Sequence, residues 1–246
     1  WDSKDLTITD SYINDNFSVD DRNCTSGGLM TYHLESLTLE NSIFKNNSDN
    51  CGGGVRISNV QNFSVNHILS TDGFTFQDVE NHTGLVQNSI FLDRDFNEWG
   101  STKPSKLTIQ NNFISSNIRL SFELDRYGSG NITDGLPGFL DEEAGNFNLN
   151  NFSQLIGAGT SSSSSSDYVG TVRPSPVGSV PDIGPFESSL GTSQLIFKKF
   201  FSEQTMDGCC NFQMISSFDV NNDGIDEIIY LDDPNQGGAI KLFKSA

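Results

Sequence analysis

Asp219, Asn221, Asp223 and Glu227 place oxygen-bearing side chains at positions 1, 3, 5 and 9 of one short segment, with Gly224 at position 6. Calcium takes several hard oxygen ligands, and a glycine in the middle of such a loop permits the sharp turn that wraps the chain around one ion. Ile225, at position 7, offers its backbone carbonyl as a further ligand. The carboxylates gathered there repel one another, and a bound cation relieves that repulsion. The spacing therefore points to a calcium loop, with an acidic turn that holds no metal as the alternative.

Other residues with chemical capacity are scattered. Cys24 precedes Gly27-Gly28, and Cys51 precedes Gly53-Gly54. If those two segments stack as neighbouring strands, about 4.8 Å apart, a disulfide can span them. A Cys24–Cys51 bridge in an oxidising compartment is then the expectation, with two stacked buried thiols as the alternative. Cys209 and Cys210 are adjacent and are read as unpaired or separately paired thiols in preference to a strained vicinal disulfide. No cysteine or histidine spacing suggests zinc. His33, His67 and His82 stand alone and are read as structural. Glu123, Asp125 and Arg126 form the best acid–base cluster, and Asp93, Arg94 and Asp95 the next. Neither matches a catalytic motif, and no catalytic residue is assigned. The stretch 93–100, with Trp99 at its tip, reads as an exposed loop in preference to a ligand platform.

The elements that must carry these groups are announced by a repeated phrase. Leu6-Thr7-Ile8-Thr9-Asp10-Ser11-Tyr12-Ile13 returns as Leu37-Thr38-Leu39-Glu40-Asn41-Ser42-Ile43-Phe44 and as Leu107-Thr108-Ile109-Gln110-Asn111-Asn112-Phe113-Ile114. A looser copy runs over Phe63-Ser64-Val65-Asn66-His67-Ile68. Apolar and polar residues alternate with period two, the pattern of a strand with one buried face. The polar pair that follows is turn chemistry, because Asn and Asp tolerate the left-handed region. A second apolar pair restarts a strand. Internal similarity at spacings of about 20–50 residues indicates a solenoid, propeller or array. Strand, Asn turn and strand, with little helical periodicity, favour an all-β fold: a right-handed parallel β-helix in which each copy is one coil. Uneven spacing is read as insertion, the largest of them at 66–106.

Three resemblances sharpen this. Phe44-Lys45-Asn46-Asn47 followed by Gly53-Gly54-Val55, with Gly27-Gly28-Leu29 before it, resembles the polymorphic outer-membrane-protein repeat, which implies a surface or secreted β-helix. The first coil departs from the Phe-x-x-Asn form. From Gly135-Leu136-Pro137-Gly138-Phe139 through Gln154-Leu155-Ile156-Gly157, Asp167-Tyr168-Val169-Gly170, Arg173-Pro174 and Pro181-Asp182-Ile183-Gly184-Pro185-Phe186-Glu187, the order is similar to the closing segment of secreted bacterial β-helices of the choice-of-anchor type. That resemblance implies a cap laid over the last coil, with Ser161–Ser166 as a loop between two docked pieces. The calcium loop, running into Ile228-Ile229-Tyr230, is similar to loops of FG-GAP or VCBS propeller blades. It is not an EF-hand, since Tyr230 stands where a bidentate Glu is required at position 12.

Composition bounds the function classes. The 246 residues hold 14 Lys+Arg against 32 Asp+Glu, for a net charge of −18. This argues against nucleic acid, which needs a basic footprint, and against an anionic membrane surface. It suits a calcium-rich extracellular setting. No apolar run reaches the length of a membrane span. The expected organisation is 1–130 as β-helix coils, 131–190 as a closing segment, and 191–246 as a small β-propeller-blade-like calcium-binding module. Both ends of the chain read as abrupt, so a longer parent or end-to-end neighbours are expected. The expected function is non-enzymatic: a secreted or cell-surface structural or adhesive protein, or a filament subunit. Self-association or other surface proteins are the expected partners, and carbohydrate is a further one. The competing reading is a fragment of a calcium-dependent polysaccharide lyase or another carbohydrate-active β-helix enzyme.

Overall fold

The computed structural model describes residues 4–18, 26–49, 53–77, 83–92, 95–99, 106–116, 118–120, 124, 127–194, 213–218, 227–231 and 240–243. Cys24, Cys51, Cys209, Cys210, Asp93, Arg94, Glu123, Asp125, Arg126, Asp219, Asn221, Asp223 and Ile225 fall outside these residues. The chain divides into two compact units, residues 1–194 and 195–246.

The first unit is built on parallel pairing of the repeated phrase with itself. Leu6, Thr7 and Ile8 pair with Leu37, Thr38 and Leu39. Those pair with Phe63, Ser64 and Val65, which pair with Gly84, Leu85 and Val86, which pair with Leu107, Thr108 and Ile109. The chain then crosses to a second parallel sheet, whose strands run in the spatial order Phe113–Ile114, Ile90–Phe91, Leu69–Ser70, Ile43–Lys45 and Tyr12–Asn14. A one-residue slip would turn every inward side chain outward, so the alternation in the phrase fixes the register.

Two expectations are corrected here. The stretch 66–106 is not an insertion: Gly84–Phe91 is a further copy of the phrase, with strands Thr83–Gln87 and Ile90–Phe91. The segment read as an exposed loop contains the strand Asp95–Trp99, paired in parallel with Gly73–Gln77, and Phe96 is fully buried. Gly84 stands where other copies have Leu or Phe because Phe63 fills its space; a Cβ on Gly84 would lie 2.2 Å from the Phe63 ring. Ile13-Asn14-Asp15-Asn16 also stacks on Phe44-Lys45-Asn46-Asn47, with the Asn16 N–H and Nδ2 both donating to Asn47 Oδ1. The first copy thus keeps the corner asparagine, with Ile in place of Phe.

The inward positions form one core, in which Phe63, Phe74, Phe76, Phe91 and Phe96 interlock; the Phe91 and Phe96 ring centroids lie 4.7 Å apart. The second apolar pair of each phrase has a separate meaning. Successive strand residues face opposite sides, so Phe44 enters this core while Ile43 faces out. Outside, Ile43, Leu69, Ile90 and Phe113 form a second core with Phe147, Leu155, Ile183 and Phe186. Asn131 and Ile132 still stack on Asn112 and Phe113, whereas Phe147, Leu155, Ile183 and Phe186 lie along the flank of the stack, where the sequence suggested a cover over the last coil. The Phe139–Asp141 and Asn146–Leu149 hairpin belongs to this flank.

The second unit contains Gln213–Phe218, Glu227–Leu231 and Ile240–Phe243 in one antiparallel sheet. Glu227 begins the middle strand.

Truncating a ring in the interlocked core leaves a cavity. Phe74→Ala is expected to cost about 3–5 kcal/mol in chemical denaturation. Tyr32→Ala, at a side chain 63% exposed, is expected to stay within about 0.5 kcal/mol.

Candidate functional site

Each crossing from the first sheet to the second uses one residue with positive φ: Asp10 at 49°, Asn41 at 45°, His67 at 52°, Asn88 at 52° and Asn111 at 50°. Short polar side chains accept this region at least cost, and Asn and Asp most readily. The residue after the corner adds a second ladder. Ser42 Oγ accepts from the Ser11 N–H and donates to the Glu40 carbonyl. Ser89 Oγ accepts from the Ile68 N–H and donates to the Gln87 carbonyl. Asn112 and Asn131 repeat the pattern one and two layers on.

His67 occupies the corner position that Asn takes in its neighbours, and it is fully buried. Its Nδ1 lies 2.8 Å from Arg173 Nη1, and its Nε2 lies 3.2 Å from Ser162 Oγ. Nδ1 also lies 3.2 Å from the Gly184 carbonyl, and Nε2 lies 3.3 Å from Asn88 Nδ2, so protein groups surround both ring nitrogens. Burial and then the Arg173 charge hold the imidazole well below its ordinary pKa, so it is neutral. A serine–histidine pair becomes nucleophilic when the imidazole accepts the hydroxyl proton and a carboxylate holds the opposite nitrogen. Here a guanidinium stands opposite where such a pair needs a carboxylate. The contact fastens Ser162 to this corner of the stack.

Arg173 is the centre of that fastening. Its Nη1 donates to Glu187 Oε2 at 2.9 Å, with both side chains buried. Nη2 donates to the Gly184 and Pro185 carbonyls. Three buried carboxylates then gather backbone N–H groups. Asp167 takes those of Val169, Thr171 and Glu187. Asp182 takes Gly157 and Ser188, each at 2.7 Å. Glu187 takes Ser175 and Asp182. Burial pushes Asp182 up from an ordinary 3.8 to about 7 against those two donors. Burial likewise raises Glu187, while the Arg173 charge and its own N–H donors oppose the rise.

Sequence reasoning treated His67 as one of three lone histidines and Arg173, Asp182 and Glu187 as parts of a closing motif. The structure brings all four together. The available signal was the alignment of His67 with Asn41, Asn88 and Asn111. Of the calcium set, only the backbone of Glu227 is described. No group of three or more His, Cys, Asp or Glu suited to a metal occurs among the described residues.

Removing one member of a buried ion pair strands the other. Arg173→Met is expected to cost about 3–5 kcal/mol, and adding Glu187→Gln to recover part of it. Asp182 predicts a pH signature. Its folded pKa is raised, so its contribution to stability is present at low pH and is lost as pH rises from about 4 through about 7. Thermal unfolding of Asp182→Asn is therefore expected to compare more favourably with the native chain at pH 8 than at pH 5. Comparison of the chain with protein-family models, with curated proteins and with solved structures returns no match.

Proposed function

We propose that this chain is a non-enzymatic extracellular or cell-surface structural or adhesive protein. In this reading the stacked copies form a right-handed parallel β-helix, residues 131–190 are its closing segment, and 191–246 is a calcium-stabilised blade-like module. The observation that carries it is the use made of the buried polar groups. His67, Ser162, Asp167, Arg173, Asp182 and Glu187 hold the flank to the stack, and the described core is a continuous run of packed Leu, Ile, Val and Phe. Such a body presents a stiff, ladder-like surface suited to holding a partner or another copy of itself. The net charge of −18 accords with a cation-rich medium in which bound calcium offsets self-repulsion.

Calcium would be held by Asp219, Asn221, Asp223 and Glu227 with the Ile225 carbonyl. Calcium at about 100 times its Kd is expected to stabilise the module by about 2.7 kcal/mol, and Asp223→Ala to abolish that gain in a thermal melt. The functional reading is tested by incubating the protein with pectin, alginate and other uronic-acid polymers while following ultraviolet absorbance and light scattering. Calcium-dependent association without turnover is the expected result. Release of unsaturated products would overturn it in favour of a polysaccharide-degrading enzyme.

A further inference from the structure

The six serines 161–166 carry no side-chain variety, yet their burial alternates. Ser161, Ser163 and Ser165 are exposed, and Ser162, Ser164 and Ser166 are half-buried. Period-two burial is the mark of an extended segment lying on a surface. The surface here is the row of left-handed corners, crossed two or more residues to each layer in the direction opposite to the order of the copies. Asn111 Nδ2 donates to the Ala158 carbonyl at 3.2 Å. Asn88 grips Thr160 with both ends of its amide: Nδ2 donates to the Thr160 carbonyl at 2.9 Å, and Oδ1 accepts the Thr160 N–H at 2.7 Å. His67 meets Ser162. Asn41 Nδ2 donates to the Ser166 carbonyl at 2.8 Å. Beyond these four, the corner is Asp10 at one side and Gly130, with φ of 74°, at the other. The corners that touch the segment are amides or imidazole, able to donate a hydrogen bond, and the two flanking ones are not.

We propose that residues 158–166 act as a longitudinal tie that makes four layers of the stack open as one cooperative unit. In a simple stack each repeat touches only its neighbours, so stability is a sum of local and nearest-neighbour terms, and the ends can peel layer by layer. A segment bonded to four layers adds couplings between layers that do not touch. Lifting any one corner then requires breaking its bond to a segment that the other three still hold. The tie is anchored at both ends. Near 159 the Gly159 N–H donates to the Pro181 carbonyl, and near 165 the Arg173 N–H donates to the Ser165 carbonyl. Arg173 is itself held by Glu187 and by His67, the corner that meets Ser162. A body that must hold its shape under load gains from such a tie. The inference concerns the stack alone and stands whether or not the adhesive reading does.

The corner conformation supplies a clean substitution. Glycine adopts positive φ without strain, so Asn88→Gly removes the amide grip and keeps the turn. Asn59→Gly is the control. It has φ of 49° and lies at a bend in the long strand, with its side chain bonded to His33 and not to the tie. The measurement is native-state hydrogen exchange on the full chain, read in peptides covering Ile43–Lys45, Leu69–Ser70, Ile90–Phe91 and Phe113–Ile114. In the native chain and in Asn59→Gly, the four peptides are expected to share one opening equilibrium. In Asn88→Gly they are expected to diverge, with at least one outer layer exchanging tenfold or more faster than the rest. Asn111→Gly, at the end of the tie, gives the same reading if Asn88→Gly does not fold. Distinct opening equilibria in the native chain would overturn the proposal. So would four equal equilibria in the foldable tie variants, or the same divergence in Asn59→Gly.

Discussion

The structure depends on one backbone constraint repeated layer after layer: a residue with positive φ where the chain leaves the first sheet for the second. Parallel stacking requires the corner to fall at the same place in each copy, because a slip of one residue exchanges core and surface. Residues that enter the left-handed region at low cost are few, and the useful ones carry short polar side chains. Solving the turn therefore also lines up donors and acceptors along one edge of the stack, from Asp10 through Asn111. The bonds to Ala158, Thr160, Ser162 and Ser166 follow from that alignment. A requirement of local conformation has become a long-range contact surface.

The second consequence is a sheet covered on both faces in every strand but its edge strand Tyr12–Asn14. Parallel strands covered on both sides read as continuous apolar runs, where a half-exposed strand alternates. Ile43-Phe44 and Ile90-Phe91 are such runs, and their outward members need a cover that the phrase itself cannot supply. Residues 131–190 provide it through Phe147, Leu155, Ile183 and Phe186. Tyr12, in the same column as Ile43, is 45% exposed and carries a hydroxyl that can meet water. The change from Ile to Tyr along one column thus tracks a change in exposure.

Much of this was legible in the sequence, and the failures have physical causes. The phrase at Leu6, Leu37 and Leu107 announced both its strands and its register. The copy at Gly84–Phe91 was hidden because its first apolar position is glycine, and only the neighbouring layer shows that Phe63 occupies the space. Asp95–Trp99 looked like a loop because its charged residues mask Phe96, the position that enters the core. A homopolymer of serine has no pattern to read, so the alternation of Ser161–Ser166 came entirely from the surface beneath it. Residues 131–190 were expected over the last coil, but Phe147, Leu155, Ile183 and Phe186 pack against the outward residues of several layers, which a segment without periodicity does not announce. Asp219, Asn221, Asp223 and Ile225 of the expected calcium loop, and Cys24 and Cys51, fall outside the described residues.

The buried cluster around Arg173 shows why titratable groups in an interior need not be reactive. Three carboxylates, one guanidinium and a neutral imidazole would be an expensive collection if left to pair among themselves. Instead both Asp182 oxygens and Glu187 Oε1 accept backbone N–H groups, and Arg173 reaches the Gly184 and Pro185 carbonyls as well as Glu187. Segment 167–188 has almost no regular secondary structure to satisfy its backbone, and buried N–H groups without acceptors are costly. The charged side chains stand in for the missing sheet partners. Arg173 then ties the resulting knot to His67 on the stack, so the groups that fold the irregular segment also fix where it docks.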